Sequence, residues 1–232
     1  MRGTKLTAGL AAWIVTLGVP LLLILGSVRL AMTPQFLSFE YHRPDMHEDP
    51  YGFTLEDRLR WGPLGIEYLV TDADISLLGD LRFENGNPMF SARELQHMVD
   101  VKVVTRAAFF VLAAALIVVP LCALYLWRTG RRSQLMDALL RGAIFTLGGI
   151  VAVIFGAVVA WDMFFSLFHR LFFADGTWIF YTSDTLIRLY PEKFWFDAAL
   201  IIGIVVIGGA LTIAGLAWWS WRRDVRGARR PG

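Results

Sequence analysis

Four histidines, His42, His47, His97 and His169, are the side chains of this sequence that titrate near neutrality unaided, so they are the first candidates for proton-transfer chemistry. Their surroundings separate them. His42 and His47 fall in Tyr41-His-Arg-Pro-Asp-Met-His-Glu-Asp-Pro50, a polar, turn-rich stretch that reads by default as a solvated loop. His97 lies in a run from Ser91 that meets no Gly or Pro until Pro120, with Asp100 three residues on and on the same helical face. His169 sits inside Phe164-Phe-Ser-Leu-Phe-His169-Arg-Leu-Phe-Phe173, with Ser166 three and Asp162 seven residues before it. A carboxylate within reach of an imidazole orients it and favours its protonated form. The plainer reading of the same spacing is an aromatic anchor at a membrane surface, continued by Trp178, Phe180, Tyr181, Tyr190 and Trp195, in which His169 only caps or bonds backbone.

Other chemistries find little support. The one cysteine, Cys122, lies inside an apolar run, which leaves no intramolecular disulfide and no cysteine-based metal site. No Gly-rich phosphate loop and no basic-aromatic array for nucleic acid is present. A bis-histidine haem or metal site could use His97 and His169, but no further ligands stand at convincing spacing and there is no HExxH motif; no cofactor is expected.

The elements that must position these histidines are set by hydropathy. Of 232 residues, 56% are hydrophobic, beyond what a soluble domain of this length needs. Four apolar segments, at about 8–28, 107–126, 142–162 and 198–218, are long enough to cross a hydrocarbon core of ~30 Å. The first, preceded by Arg2 and Lys5, could also be a signal peptide, but its run is long and no clean cleavage site follows, so it reads as a retained helix. Arg2 and Lys5, then Arg128, Arg131, Arg132 and Arg141, then Arg222, Arg223, Arg226, Arg229 and Arg230 form three basic clusters that an even helix count places on one side. By the positive-inside rule that side, with both termini, is cytoplasmic. The acid-rich segment 31–104 and the loop 163–197 then face outward, and any enzyme site belongs there. His97, nine residues before Arg106, would stand roughly 13 Å above the hydrocarbon edge. His169 would stand roughly 10 Å above it if the third helix runs on past Asp162.

The expected fold is an all-α membrane protein with four transmembrane helices and a small α+β extracytoplasmic domain between helices one and two. In that domain Thr54 and Asp57 resemble a capping box for a helix ending near Val70, and Ser91 with Glu94 forms a sharper one that starts helix two outside the membrane. Leu81-Arg-Phe83 and Met89-Phe90 around Glu-Asn-Gly-Asn-Pro read as two short strands and a turn. Pro120 should kink helix two. Gly148, Ala152, Gly156 and Ala160, four apart, form a small-residue stripe for close helix packing, as do Gly203, Gly208 and Thr212 in helix four.

Two motifs point further. Phe90-Ser-Ala-Arg-Glu-Leu-Gln-His97-Met-Val-Asp100-Val-Lys102 resembles the first signature of the Lit-like family of bacterial integral membrane proteins. Phe168-His169-Arg-Leu-Phe-Phe173, then Trp178, then Leu189-Tyr-Pro191-Glu-Lys-Phe194-Trp, resembles its second. The resemblance spans nearly the whole chain. It implies a lipoprotein intramolecular transacylase, which moves the sn-2 acyl chain of an S-diacylglyceryl lipoprotein to the α-amino group of the same N-terminal cysteine. It further implies a bacterial cell-membrane location, diacylated lipoproteins and membrane lipid as partners, and catalytic roles for His97 and His169. Asp100, Lys102, Asp162, Ser166 and Trp178 are the supporting residues. One histidine would act as base and the other, protonated, as oxyanion stabiliser or acid; which is which stays open, as does His169 as a nucleophile. The rival class is a non-catalytic membrane scaffold or lipoprotein-binding protein, in which both histidines could be changed without loss of phenotype.

Overall fold

The computed structural model describes residues 2–227, with side chains from Lys5 to Arg223. Arg229 and Arg230 lie outside the described residues, as do the side chains of Arg2 and Arg226. The described chain is helical: α1 Arg2–Ala31, α2 Pro34–Tyr41, α3 Leu55–Val70, α4 Ser76–Gly79, α5 Ala92–Arg128, α6 Arg132–Val159, α7 Trp161–Phe172, α8 Thr185–Leu189 and α9 Glu192–Gly227. Four of these, α1, α5, α6 and α9, are long and apolar enough to cross a membrane. The chain divides into two compact units. One holds the residues up to Ser27, Phe110–Phe155 and those from Ile202 on; the other holds Val28–Phe109 and Gly156–Ile201.

The first unit is built from apolar helix segments that turn large side chains outward. Leu10, Trp13, Phe110, Ile117, Leu121, Phe145, Phe155, Ile204 and Leu216 are all exposed, which suits a surface solvated by acyl chains rather than water. Its interior uses small residues at close approaches. A Cβ added to Gly142 would lie 2.7 Å from the Thr16 carbonyl, one on Gly203 2.5 Å from Ile154, and one on Gly209 2.6 Å from Leu23. Of the small positions expected from sequence, Gly203 of helix four is packed, whereas Gly208 and the helix-three glycines Gly148 and Gly156 have nothing within 4 Å of an added Cβ. Spacing identifies a stripe, but only the azimuth of each helix decides which stripe meets a neighbour, and here Gly142, Thr146 and Ile150 are the buried face of α6.

The second unit has a core of Leu37, Tyr41, Ile66, Tyr68, Leu78, Met89, Phe90, Met98, Leu186, Leu189, Tyr190 and Phe194. Both expected capping boxes form. Thr54 accepts from Asp57 N at 3.1 Å while the Asp57 carboxylate accepts from Thr54 N at 2.9 Å. The Glu94 carboxylate accepts from Ser91 N and Ser91 Oγ, each at 2.8 Å. Buried Arg58 donates to the carbonyls of His47 and Arg188, and Arg188 pairs with Asp49 at 2.9 Å.

Two expectations fail. The small α+β domain has no strands among the described residues; an isolated bridge, Arg82 to Pro88, stands where two strands were expected. Phe83 N donates to Asn87 O at 2.9 Å and Met89 N to Leu81 O at 3.0 Å around Gly86, whose φ is 81°. Pro88 has no N–H to extend the ladder, so the hairpin stays a turn. Nor does the third long helix run straight on to His169. It ends at Val159, Ala160 takes φ −147° and ψ 63°, and α7 begins as a separate helix.

Candidate active site

All of the site lies in the second unit. His97 stands on the second turn of α5, three residues beyond Glu94. That carboxylate does more than cap its own helix. It is 2% exposed, and its other oxygen accepts from Leu186 N at 2.8 Å, at the start of α8. Thr185 donates to the Met89 carbonyl, and Arg93 pairs with Asp184 at 2.9 Å while its guanidinium covers the Phe180 and Tyr181 rings. The segment 180–186 is thereby tied to the start of α5. Phe180 is brought onto His97, with ring centroids 5.2 Å apart.

His169 is the last-turn residue of α7, half-buried, with Nδ1 2.8 Å from the Phe165 carbonyl. A carbonyl only accepts, so Nδ1 carries the proton and the neutral ring presents its lone pair at Nε2. Burial pulls this imidazole below its ordinary pKa, opposed by the bond to Phe165. At neutral pH His169 is therefore an uncharged base. This differs from the expectation that neighbouring carboxylates favour an imidazolium. Ser166 and Asp162 make no hydrogen bond to it among the described residues, and Asp162 is exposed.

The two imidazoles face each other. Their centroids are 6.4 Å apart and their planes 23° from parallel. Phe173 touches both, at 5.1 Å from His97 and 5.8 Å from His169. Phe165 lies 4.0 Å and Trp178 4.9 Å from His169. Direct ring stacking would bring the histidines closer than this. A carbonyl carbon midway would instead lie near each ring at the ~3–3.5 Å of a near-attack contact. Two buried polar atoms in this aromatic box have no hydrogen-bond partner among the described residues, His97 Nδ1 and Trp178 Nε1. Buried polar groups are almost always paired, so two unpaired ones in one box mark a place prepared for something else.

The remaining sequence candidates separate from the pair. Asp100 accepts from Gln96 Nε2 at 3.0 Å and makes no hydrogen bond to His97 among the described residues. Lys102 is buried, donates to the Ala73 carbonyl at 2.5 Å and lies 4.0 Å over the Tyr68 ring, where it ties the 71–75 turn to α5. His42 is exposed, its Nδ1 2.6 Å from the Ser38 carbonyl. His47 lines a cavity of about 360 Å³ with Trp161, Pro191, Glu192, Lys193 and Phe196, a space that includes neither paired histidine. Sequence reasoning missed Phe173 and Phe180 as rings on His97, and the second role of Glu94. The signature spacing held a cue for Phe173; the Leu186 contact, 92 residues away, left none. Among the described residues no group of three or more His, Cys, Asp or Glu is placed to hold a metal ion.

The chain as a whole resembles known proteins. An uncharacterized protein of Aquifex aeolicus is 32% identical over 181 residues, 77% of this chain and 80% of its own length. The structure of the membrane integral lipoprotein intramolecular transacylase Lit from Bacillus cereus covers 96% of this chain and 97% of its own, with TM-score 0.74 and 22% identity. The same protein carrying a histidine-to-alanine substitution gives TM-score 0.69 at 20% identity, covering 97% of this chain and 98% of its own. These likenesses establish a shared membrane fold. The sequence profile of lipoprotein intramolecular transacylase Lit matches residues 13–195, a stretch that takes in both paired histidines and every ring around them, and the chain belongs to the Lit family.

Proposed function

We propose that this protein is a membrane acyltransferase that moves the sn-2 acyl chain of an S-diacylglyceryl lipoprotein onto the α-amino group of its own N-terminal cysteine. The observation that carries this reading is the facing pair of half-buried imidazoles, 6.4 Å apart in an aromatic box. An ester and an amine tethered a few bonds apart in one lipid need no acyl carrier, because the substrate supplies their proximity. What it lacks is proton handling and a dry, shaped site.

The roles rest on the His169 tautomer and on the unpartnered Nδ1 of His97. His169 Nε2 takes the amine proton as the C–N bond forms, and returns it to the glycerol oxygen as the C–O bond breaks. Ester and amine become amide and alcohol, with no net change in protons. The His97 imidazole, on the other side of the carbonyl, holds the tetrahedral oxyanion through its N–H. Asp100, Lys102, Asp162 and Ser166 then act, if at all, through the fold and not at the reacting atoms. The apolar box suits the ester region of a bilayer. The long helices α1, α5, α6 and α9 cross the membrane over about 8–28, 107–126, 142–159 and 198–218, each about the ~20 residues a crossing needs, the third span ending where α6 ends at Val159. The basic ends of these spans are cytoplasmic, and the segments 31–104 and 163–197, which carry the site, are outside.

The test is mass spectrometry of lipoprotein N-terminal peptides from a bacterial host lacking its own N-acylating enzyme. N-acyl, S-monoacylglyceryl peptides should appear with the wild-type chain and be missing with His97→Ala or His169→Ala. Unchanged diacylglyceryl peptides with the wild-type chain at normal membrane abundance would refute the reading.

A further inference from the structure

We infer that Trp178 is a catalytic residue whose indole N–H donates a hydrogen bond to the carbonyl oxygen of the migrating acyl group as that oxygen becomes an oxyanion. The inference rests on the transacylase reading above and assigns to that site a donor beyond its histidines.

Three observations meet at this side chain. Its Nε1 is buried and makes no hydrogen bond among the described residues. An indole N–H is donor-only, so it cannot be satisfied by rotating or by switching roles, as a hydroxyl could. Leaving such a donor dry carries a desolvation cost that a fold has no reason to keep unless the partner arrives later. The ring is also placed where the partner would be. It lies 4.9 Å from His169, tilted by 31°, and 6.4 Å from Phe165, whose carbonyl fixes the His169 tautomer. A carbonyl group held against the His169 base therefore lies beside the indole ring. Finally, the chemistry needs a neutral donor there. The oxyanion develops against His169 among the rings of Phe165, Phe168, Phe173 and Trp178, while the Arg93 guanidinium lies over Phe180 on the His97 side. In such a dry site fixed N–H dipoles are worth far more than in water and need no reorganisation as charge appears.

The step itself is the one already balanced. The amine nitrogen adds to the ester carbon, the carbonyl π pair moves onto oxygen, and that oxygen accepts from Trp178. As the C–O bond to glycerol breaks, the pair returns to form the amide carbonyl, and His169 delivers its proton to the glycerol oxygen. Trp178 gains and loses nothing but a hydrogen bond. Its effect must therefore fall on turnover and not on binding of the ground-state ester.

The test uses the purified full chain in detergent with a synthetic S-diacylglyceryl-cysteinyl peptide, N-acylated product being followed by mass spectrometry. Trp178→Phe keeps a ring on His169 and removes the donor; kcat should fall ~10²–10³-fold with KM within about threefold of wild type. Incorporating benzothienylalanine at 178 keeps the bicyclic shape while replacing N–H with sulfur. It should reproduce the kcat loss even if the phenylalanine variant proves unstable. A wild-type kcat in the benzothienyl protein, or a loss borne by KM alone, overturns the inference while leaving the transacylase reading standing. No product from the wild-type protein overturns both.

Discussion

Glu94 and His97 stand less than one turn apart on α5, both sheltered from solvent, and their polar atoms are treated in opposite ways. Both Glu94 oxygens are used, by Ser91 N, Ser91 Oγ and Leu186 N. His97 Nδ1 is given no partner, and its neighbours are the rings of Phe173 and Phe180. The contrast teaches how to tell scaffold from site in this fold. A paired buried group holds elements together, and removing it should cost stability. An unpaired one inside the aromatic box is held open for chemistry, and removing it should cost activity alone.

The largest expected effect tests the second half of that contrast. His97→Ala and His169→Ala should each lower lyso-lipoprotein formation by ~10²–10⁴-fold, the range of a general acid–base group. Melting temperatures in detergent should stay near wild type. An unfolded His97→Ala protein would show that the ring is structural and would break the distinction. Next comes Glu94→Ala. It strands the buried Leu186 amide and removes the carboxylate that accepts from Ser91 N and Oγ, which together should cost ~2–4 kcal/mol of stability, measured by thermal melting. Whatever activity it loses should return at low temperature. Asp100→Asn sharpens the comparison from within the same turn. Because Asp100 pairs with Gln96 at a half-exposed position, kcat should change less than about fivefold, as befits an interaction worth ~0–1 kcal/mol. A loss of several orders would restore the carboxylate as an orienting group for His97.

The smallest expected effect concerns the buried acid Glu40. Neither of its oxygens accepts a hydrogen bond among the described residues. Burial raises its pKa, Arg43 at 3.8 Å lowers it, Asp197 raises it, Lys193 lowers it and Asp45 raises it, with burial prevailing. A carboxyl whose pKa is raised by folding stabilises the fold fully below its unfolded value of 4.5, and that contribution is lost as pH climbs through the folded value. Glu40→Gln should therefore melt slightly higher than wild type at pH 8, with the difference vanishing below pH ~4.5. A variant that melts lower at pH 8 would mean that Glu40 is ionised and paired with Arg43.

What the sequence made legible was local. The boxes at Thr54/Asp57 and Ser91/Glu94 could be read because cap and partner lie three residues apart, and the four long apolar helices because hydropathy is a property of each segment alone. The two histidines stood out by their neighbours, and the structure brings their rings face to face. What escaped was set at a distance. Asp100 prefers Gln96 because that amide reaches it along the helix, a choice that residue spacing leaves open between several partners. The break at Ala160 carries no Pro or Gly at the residue itself to announce it. The stripe of glycines on α6 was visible, but the direction it faces depends on helices whose azimuths no local pattern fixes.

The bond from Leu186 to Glu94 also has a consequence for the order in which the chain can mature. Its two ends are 92 residues apart, and everything from α5 to α7 lies between them. As the chain emerges from the ribosome, α5 is made long before α8 exists. Until Leu186 arrives, one oxygen of Glu94 can find a partner only in water, so the start of α5 cannot be sealed off. Closing so long a loop is also entropically slow. The carboxylate thus acts as a checkpoint in biogenesis: the helix that carries His97 becomes dry only after the segment that supplies Phe180 has been synthesised and docked.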